Sequence, residues 1–245
     1  MNVAVIFAGG AGVRMNAKTL PKQFLELHGK PIIIYTLEHF DRHPQIDGIV
    51  IACIAGWEKH LETLTERFGI RKISAVVKGG TSGQASIRNA VYKARELFPE
   101  DSVVLVHDGV RPLIDEQLIT ENIESVRRYG SAISSARGAE TVLLQRKEDD
   151  YVERIEDRSV CKMAKAPQSF ILGELCRAHE KAEAEGIDDF IDSASLMLHY
   201  GMKLRLVGCS SGNIKITTPT DFYLFRAIMD AMENEQIVGY QEKWR

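Results

Sequence analysis

A glycine-rich turn is the first place in the chain where chemistry could occur. The apolar run 3–7 leads directly into Ala8-Gly9-Gly10-Ala11-Gly12, and Arg14 follows two residues later. Glycines let backbone amides approach an anion closely, and successive N–H groups in such a turn bind phosphate oxygens. Two familiar motifs do not fit, because Met15 stands where G-x-G-x-x-G needs its third glycine and no Gly-Lys-Ser/Thr follows. The turn predicts a phosphate-binding loop, with a tight turn that binds no ligand as the alternative.

A lysine lies shortly after this turn, in Leu20-Pro21-Lys22-Gln23. Pro21 restricts the backbone before it, so Lys22 is carried on a stiff segment. Arg14 and Lys22 would then be two cations beside bound phosphates, where they could stabilise the charge that develops on phosphorus oxygens during nucleotidyl transfer. A lone lysine is usually a solvated surface charge, but its combination with the glycine turn favours a functional role.

A third candidate segment is Val106-His107-Asp108-Gly109-Val110-Arg111-Pro112, at the end of a strongly apolar run. Ligands of open α/β sheets bind outside the carboxyl ends of the strands. Asp108 could therefore hold a metal ion or a ribose hydroxyl, and Arg111 could hold a substrate phosphate. A purely structural Asp–Arg pair is the alternative.

A fourth candidate is Lys215, which lies in the β-branched run Asn213-Ile214-Lys215-Ile216-Thr217. A lysine in such a run either reaches solvent or serves a pocket. Taken alone, this pattern favours solvent.

The elements that must position these groups alternate between short apolar runs and longer helical patterns. Buried strands are predicted at 3–7, 48–54, 73–77 and 102–107, and helices at 31–40, 57–68, 86–97 and 115–129. This alternation predicts an α/β fold with a doubly wound, mostly parallel sheet.

The alternation breaks after Gly130. A hairpin is predicted from 140–144 and 151–155, followed by helices at 172–185 and 192–200, a strand at 204–207 and a closing helix at 219–234. A two-stranded hairpin is marginally stable alone, so it should pack on something, such as a second subunit. With no linker or repeat in the sequence, we expect a single domain over 1–245 with an arm at about 137–158.

Composition excludes several classes of protein. The 245 residues include 31 Lys+Arg and 34 Asp+Glu, a net charge of −3 that argues against a nucleic-acid partner. The four cysteines form no C-x-x-C pair, which favours reduced cysteines and a cytoplasmic location. The N-terminal run is a poor signal peptide, and no apolar run is long enough for a membrane helix, so no membrane partner is expected.

The order of these motifs resembles the cytidylyltransferases of the methylerythritol phosphate and ribitol 5-phosphate type. The motifs are Ala-Gly-Gly-x-Gly-x-Arg-Met, Pro-Lys-Gln-Phe-Leu, Gly-Gly-x5-Ser, Val-His-Asp-x-x-Arg-Pro, Asp-Arg-Ser, Pro-Gln-x-Phe and Asn-Ile-Lys-Ile-Thr-Thr-Pro-x-Asp. They extend from Val3 to about Ile228. The resemblance implies a Rossmann-like nucleotidyltransferase that transfers CMP from CTP to a polyol phosphate, releases pyrophosphate and uses Mg²⁺ carried mainly by the CTP phosphates.

The resemblance also implies roles for individual residues. Those expected to bind the nucleotide are Phe7, Ala8, Gly9, Gly10, Gly80, Thr81 and Ser86. Arg14 and Lys22 would stabilise the pentacoordinate α-phosphorus, and Lys215 would position the acceptor phosphate. Arg158 would do so from a hairpin arm that protrudes into the neighbouring subunit, with Thr141 and Arg111 as further acceptor contacts. A homodimer with shared active sites follows from this arrangement.

Some positions depart from the family pattern. Gly83 stands where arginine is usual, and Ala166 and Ile191 stand where threonine is usual, the last two in the acceptor pocket. The segments 7–10 and 20–23 favour the ribitol 5-phosphate branch, associated with cell wall and teichoic acid biogenesis, whereas 192–195 favours the methylerythritol phosphate branch of isoprenoid biosynthesis. We expect ribitol 5-phosphate as the acceptor. Methylerythritol phosphate, a sugar 1-phosphate with another nucleotide, or a catalytically weak nucleotide-binding paralogue are the alternatives.

Overall fold

The computed structural model describes residues 1–10 and 20–238, and the side chains of these residues up to 234. Its strands are β1 (Asn2–Ala8), β2 (Glu26–Leu27), β3 (Lys30–Pro31), β4 (Gly48–Cys53), β5 (Ile73–Lys78), β6 (Val103–Asp108), β7 (Ser131–Arg137), β8 (Leu143–Gln145), β9 (Val152–Ile155), β10 (Lys162–Ile171) and β11 (Leu206–Gly208). Its helices are α1 (Ile32–Arg42), α2 (Glu58–Arg67), α3 (Gly83–Leu97), α4 (Glu116–Tyr129), α5 (Leu172–Glu185), α6 (Ser193–His199) and α7 (Pro219–Val238), with a 3-10 turn at Lys22–Phe24.

The central sheet has the strand order β11-β7-β10-β6-β1-β4-β5. Strand β1 pairs in parallel with both β4 and β6, and β4 pairs in parallel with β5. Strand β10 is antiparallel to both of its neighbours, β6 and β7. The predicted mostly parallel α/β sheet is therefore confirmed.

Two strands of this sheet are missing from the sequence prediction. Strand β7 (Ser-Ala-Ile-Ser-Ser-Ala-Arg) is rich in small and hydroxyl side chains, and β10 contains lysines and Pro167. Alanine, lysine and proline are depleted in strands, and the serines of β7 interrupt the apolar pattern of a buried strand, which concealed both elements. The register of β10 shifts between Ala164 and Gln168, so Pro167 falls at an irregularity where a regular backbone donor is not required. The sequence therefore predicted the hairpin after Gly130 but missed the central-sheet strand on either side of it.

The two faces of the sheet are covered by different helices. Ala4 and Ile6 of β1 join one apolar cluster and Val3 and Val5 join the other, because successive side chains of a strand point to opposite faces. The first cluster includes side chains of α1 and α4, and the second includes side chains of α3 and α5. Both clusters pack against β1, so the carboxyl end of this strand is held in a fixed position.

Helix α4 begins and ends as its sequence predicts. The Asp115 carboxylate accepts a hydrogen bond from the Leu118 amide at 2.7 Å and is therefore the N-cap. The helix ends at Gly130, whose φ of 82° is the left-handed conformation that favours glycine. These caps fix the helix that follows the Asp108–Arg111 segment.

A small antiparallel sheet is formed by β8 and β9, apart from the central sheet. All of its residues are exposed, including the apolar side chains of Leu143, Val152 and Ile155. Its strands are shorter than the predicted ranges. A contact between this hairpin and a second subunit stays a prediction.

In the described ranges, no helix is both long and apolar enough to cross a membrane.

Candidate active site

A cleft of about 460 Å³ opens at the carboxyl ends of β1, β4, β5 and β6. We call it the nucleotide cleft; it is lined by Phe7, Ala8, Gly9, Gly10, Lys22, Gln23, Ile54, Ala55, Gly79, Gly80, Thr81, Ser82, Gly83, Ser86, Asp108, Val110 and Lys215. All seven residues that the resemblance assigns to the nucleotide lie in this wall. The structure thus brings them together from two separate stretches of chain, 7–10 and 80–86.

The loop after β5 is held in shape by two serines at the start of α3. The Ser82 hydroxyl caps the helix by accepting from the Ala85 amide at 3.0 Å. The Ser86 hydroxyl accepts from the Gly80 amide at 3.0 Å and donates to the Ser82 carbonyl at 2.8 Å. The Ser86 hydroxyl is thus hydrogen-bonded to the backbone on both sides, so it stabilises the conformation of the loop.

Both glycine segments of the cleft lie too close to the first turn of α3 to carry side chains. A Cβ at Gly9 would lie 2.5 Å from Ser86 Oγ and 3.2 Å from Ser86 Cβ. A Cβ at Gly80 would collide with the side chain of Ala85. Close backbone approach therefore requires glycine at both positions.

Lys22 is carried by the 3-10 turn Lys22–Phe24, which is anchored to the core. The buried Gln23 side chain donates through Nε2 to the Ala8 carbonyl at 2.7 Å, and the Phe24 ring stacks on Trp57 with centroids 5.2 Å apart. Lys22 Nζ donates to the Ile216 carbonyl at 3.1 Å. The predicted stiff segment is present, but Gln23, which the sequence analysis missed as an anchor, links it to the glycine turn.

The ion-pair network at the edge of the cleft joins Asp108, Arg111 and Lys215. Asp108 Oδ1 lies 2.5 Å from Lys215 Nζ, and Asp108 Oδ2 lies 3.1 Å from Arg111 Nε. Burial alone would raise the pKa of Asp108, but the two cations outweigh it and hold that pKa below its ordinary value. Lys215 Nζ also lies 5.4 Å from the centre of the Phe7 ring. The solvent-facing orientation expected for Lys215 alone is wrong, because the side chain lines the cleft.

His107 stabilises the turn that carries Asp108 and Arg111, a role that the sequence did not indicate. The ring is fully buried and its Nε2 lies 3.0 Å from the Arg111 carbonyl. Burial lowers the pKa of His107 to about 3, so the imidazole is neutral at pH 7 and donates from Nε2 to that carbonyl. This hydrogen bond closes the turn that presents Asp108 and Arg111.

A second cleft of about 240 Å³ adjoins the first and shares Phe7, Gly83, Asp108 and Lys215 with it. We call it the acceptor cleft; its other lining residues are Ile87, Val106, Arg111, Ala164, Lys165, Ala166, Gln168, Ile191, Asp192 and Ser193. All three positions that depart from the family pattern, Gly83, Ala166 and Ile191, therefore line this cleft. Lys165 and Gln168, on the strand that the sequence analysis missed, are further candidates.

Two predicted site residues among the described ranges are not brought to these clefts. Thr141 and Arg158 are exposed near the hairpin and outside the lining of both clefts, and Arg158 Nη1 donates to the Ala139 carbonyl at 2.9 Å. Arg14 lies outside the described residues. The clefts of one chain thus combine Lys22, Arg111 and Lys215 without the two hairpin residues.

The mostly parallel sheet places a glycine turn, lysines and an arginine beside two joined clefts. This combination defines a nucleotidyltransferase site. The family model described as IspD, 2-C-methyl-D-erythritol 4-phosphate cytidylyltransferase, matches residues 2–231, and the chain belongs to this family. It is accordingly a nucleotidyltransferase enzyme.

Similar proteins fall into two groups by name. A ribitol-5-phosphate cytidylyltransferase of Vibrio parahaemolyticus is 50% identical over 239 residues, which cover 98% of this chain and 100% of that protein. A 2-C-methyl-D-erythritol 4-phosphate cytidylyltransferase of Geobacillus thermodenitrificans is 35% identical over 226 residues, 92% of this chain and 96% of that protein. The crystal structure of 4-diphosphocytidyl-2C-methyl-D-erythritol synthase from Anaerococcus prevotii matches with a TM-score of 0.80 at 26% identity, covering 93% and 95% of the two chains.

Proposed function

We propose that this enzyme transfers CMP from CTP to ribitol 5-phosphate and releases pyrophosphate. The observation that carries the proposal is the junction of the two clefts at Asp108 and Lys215, where a nucleotide in one cleft and a phosphate in the other would meet. The name shared by relatives that are 49–50% identical supports ribitol 5-phosphate as the acceptor.

Binding of CTP would use the glycine segments of the nucleotide cleft. The backbone around Gly9 and Gly10 lies at the carboxyl end of β1, where its amides can bind phosphate oxygens. Lys22, held near the Ile216 carbonyl, would contribute positive charge as the α-phosphorus becomes pentacoordinate. Arg14 is proposed for the same task from the sequence resemblance.

The acceptor phosphate would be the nucleophile. Its second pKa is about 6, so it is already an anion near pH 7 and needs no strong general base. The chain must instead hold two mutually repelling anions in line, which requires cations on both sides of the reacting phosphorus. Lys215 lies at the junction and would leave its pairing with Asp108 partly or fully to contact the incoming phosphate.

Mg²⁺ is proposed as the cofactor, carried mainly by the CTP phosphates. Asp108 is the described carboxylate that lines both clefts, and both of its oxygens are already engaged by Lys215 and Arg111. This donor set does not fit a protein-held Mg²⁺. When bound to the nucleotide, the ion would neutralise part of its phosphate charge.

A homodimer with shared active sites would complete the site. Arg158 and Thr141 lie outside both clefts of their own chain, and the nearby hairpin exposes Leu143, Val152 and Ile155. Exposed apolar side chains on a two-stranded sheet favour packing against another surface. We propose that the hairpin packs on a second subunit and brings Arg158 to the acceptor phosphate there.

A cytoplasmic location and a role in cell wall biogenesis are proposed with this activity. All four cysteines, Cys53, Cys161, Cys176 and Cys209, are free in the structure, which fits a reducing compartment. An acceptor of the ribitol branch is what would connect the enzyme to teichoic acid.

The activity is tested by release of pyrophosphate from CTP and Mg²⁺ with a panel of acceptors. We expect ribitol 5-phosphate to give the highest kcat/KM, with 2-C-methyl-D-erythritol 4-phosphate as the second candidate because the family model and the 33–35% identical relatives carry its name. Higher kcat/KM with the latter would replace the proposed acceptor. No pyrophosphate with any polyol phosphate would overturn the proposed reaction.

The shared site is tested by mixing two inactive variants, Arg158→Ala and Lys215→Ala. If Arg158 acts in the partner's site, mixed dimers contain one intact site, and activity returns to about one quarter of the wild-type level. The matched control mixes Lys22→Ala with Lys215→Ala, whose residues line the same cleft of one chain and should not complement. No recovery in the first mixture, or a monomeric mass in solution, would contradict the shared site.

A further inference from the structure

The acceptor cleft contains more cationic than anionic side chains. Lys165, Arg111 and Lys215 line it, together with Asp108 and Asp192. Asp108 is paired with Arg111 and Lys215. Within the described part of the chain, Lys165 is the cation of this cleft that has no carboxylate within ion-pair distance.

Asp192 does not serve as the counter-ion of Lys165. One of its oxygens accepts from the Ser195 amide at 2.8 Å, which caps α6, and the other accepts from Gln168 Nε2 at 2.7 Å. Both oxygens are thus used to join the start of α6 to strand β10. The cleft keeps an unbalanced positive charge at Lys165.

The surroundings of Lys165 disfavour an isolated charge. Its side chain is partly buried on β10, and burial followed by the repulsion of Arg111 lowers its pKa. A bound anion would relieve both effects, whereas a neutral hydroxyl group would leave the repulsion in place. The electrostatics therefore favour a phosphate near Lys165.

The relative position of Lys165 and Arg111 is fixed by one buried residue, Asn213. The Asn213 backbone carbonyl accepts from Arg111 Nη1 at 2.7 Å, and its side-chain Nδ2 donates to the Ala166 carbonyl at 2.7 Å. Arg111 and the residue next to Lys165 are thereby tied to the same anchor. Two cations held together in this way form a preorganised anion site.

We infer that Lys165 binds the phosphate of the acceptor together with Arg111, and so determines which phosphate-bearing molecules enter the second cleft. This inference rests on the proposed function and adds to it a residue on β10. Lys215 at the junction would contact the same phosphate from the nucleotide side.

The kinetic test replaces Lys165 with Met and with Arg. We expect Lys165→Met to raise the KM of the polyol phosphate by about 10- to 100-fold, since a hydrogen bond to a charged group is lost, with the KM of CTP within about twofold of wild type. Lys165→Arg should recover most of the affinity. The matched control is Lys162→Met, an exposed lysine on the same strand that lies outside both clefts.

A second measurement separates this inference from the proposed function. Binding of inorganic phosphate is followed by ³¹P NMR in the absence of nucleotide, so no turnover is needed. Weaker phosphate binding in Lys165→Met, with unchanged binding in Lys162→Met, supports the inference even if the wild type turns over a different acceptor. Equal phosphate binding in wild type and Lys165→Met, or an acceptor KM that does not change, would overturn it. Failure of wild-type turnover with ribitol 5-phosphate would instead count against the proposed function.

Discussion

Substitution of Gly9 by alanine tests whether close backbone approach shapes the nucleotide cleft. A Cβ there would lie 2.5 Å from Ser86 Oγ, while ordinary van der Waals contact begins at 3.4 Å, so the hydroxyl must move by about 0.9 Å. A movement of this size would disrupt the 3.0 Å hydrogen bond that the hydroxyl accepts from the Gly80 amide. Loss of this bond and the accompanying loop distortion should cost about 1–3 kcal/mol, or roughly 5- to 150-fold in CTP affinity.

The assay is isothermal titration calorimetry of CTP, with two comparisons that isolate the contact. Gly208→Ala is the matched control, because a Cβ there meets nothing within 4 Å and the residue lies outside both clefts. In a Ser86→Ala background, Gly9→Ala should cost much less, since the oxygen at 2.5 Å is gone and the nearest remaining atom is Ser86 Cβ at 3.2 Å. Unchanged CTP affinity in Gly9→Ala, or an equal cost in both backgrounds, would refute the reasoning.

Three further substitutions test other parts of the molecule. Burial lowers the pKa of His179 to about 4 from 6.5, so the free energy of unfolding of the wild type should fall by about 2 kcal/mol more between pH 7 and pH 5 than that of His179→Leu. Urea unfolding at both pH values measures this difference, and an equal fall in the two proteins would contradict it. Lys22→Ala should lower kcat by about 100-fold or more while changing the Kd of CTP by less than about tenfold, and equal changes in single-turnover rate and Kd would count against a transition-state role. Asp108→Asn should lower the unfolding temperature, because the neighbouring cations Arg111 and Lys215 lose their shared carboxylate, whereas a wild-type unfolding temperature would show that the network is dispensable for stability.

The parallel half of the fold could be predicted from the sequence because burial on both faces leaves a direct signal. Strands β1, β4 and β6 are almost continuously apolar, and the helices between them have clear periodicity. Strands β7 and β10 carry no such signal. They contain many small, hydroxyl and lysine side chains, and they form strands because of the elements that pack around them. A local sequence pattern cannot indicate that tertiary context.

The candidate site likewise contains residues that could be predicted from the sequence and residues that could not. The glycine turn, Lys22 and the Asp108–Arg111 segment are local motifs, so their chemistry could be anticipated from residue types. The pairing of Lys215 with Asp108 and the anchoring of Arg111 by Asn213 join positions about a hundred residues apart, and only folding brings them together. Lys165 was missed because it lies on a strand that was itself missed.

The strand order has a consequence for how such enzymes could diversify. The nucleotide cleft is lined almost wholly by residues before position 111. The acceptor cleft adds residues 164–166 and 168 from the antiparallel strand β10, and residues 191–193 from the start of α6 and the loop before it. Mutations in these later segments could alter the shape and charge of the acceptor cleft while the cytidine half of the molecule stays as it is. The segments that bind the nucleotide are therefore separate from those that recognise the acceptor. New acceptor specificities could evolve in this way without loss of the transfer reaction.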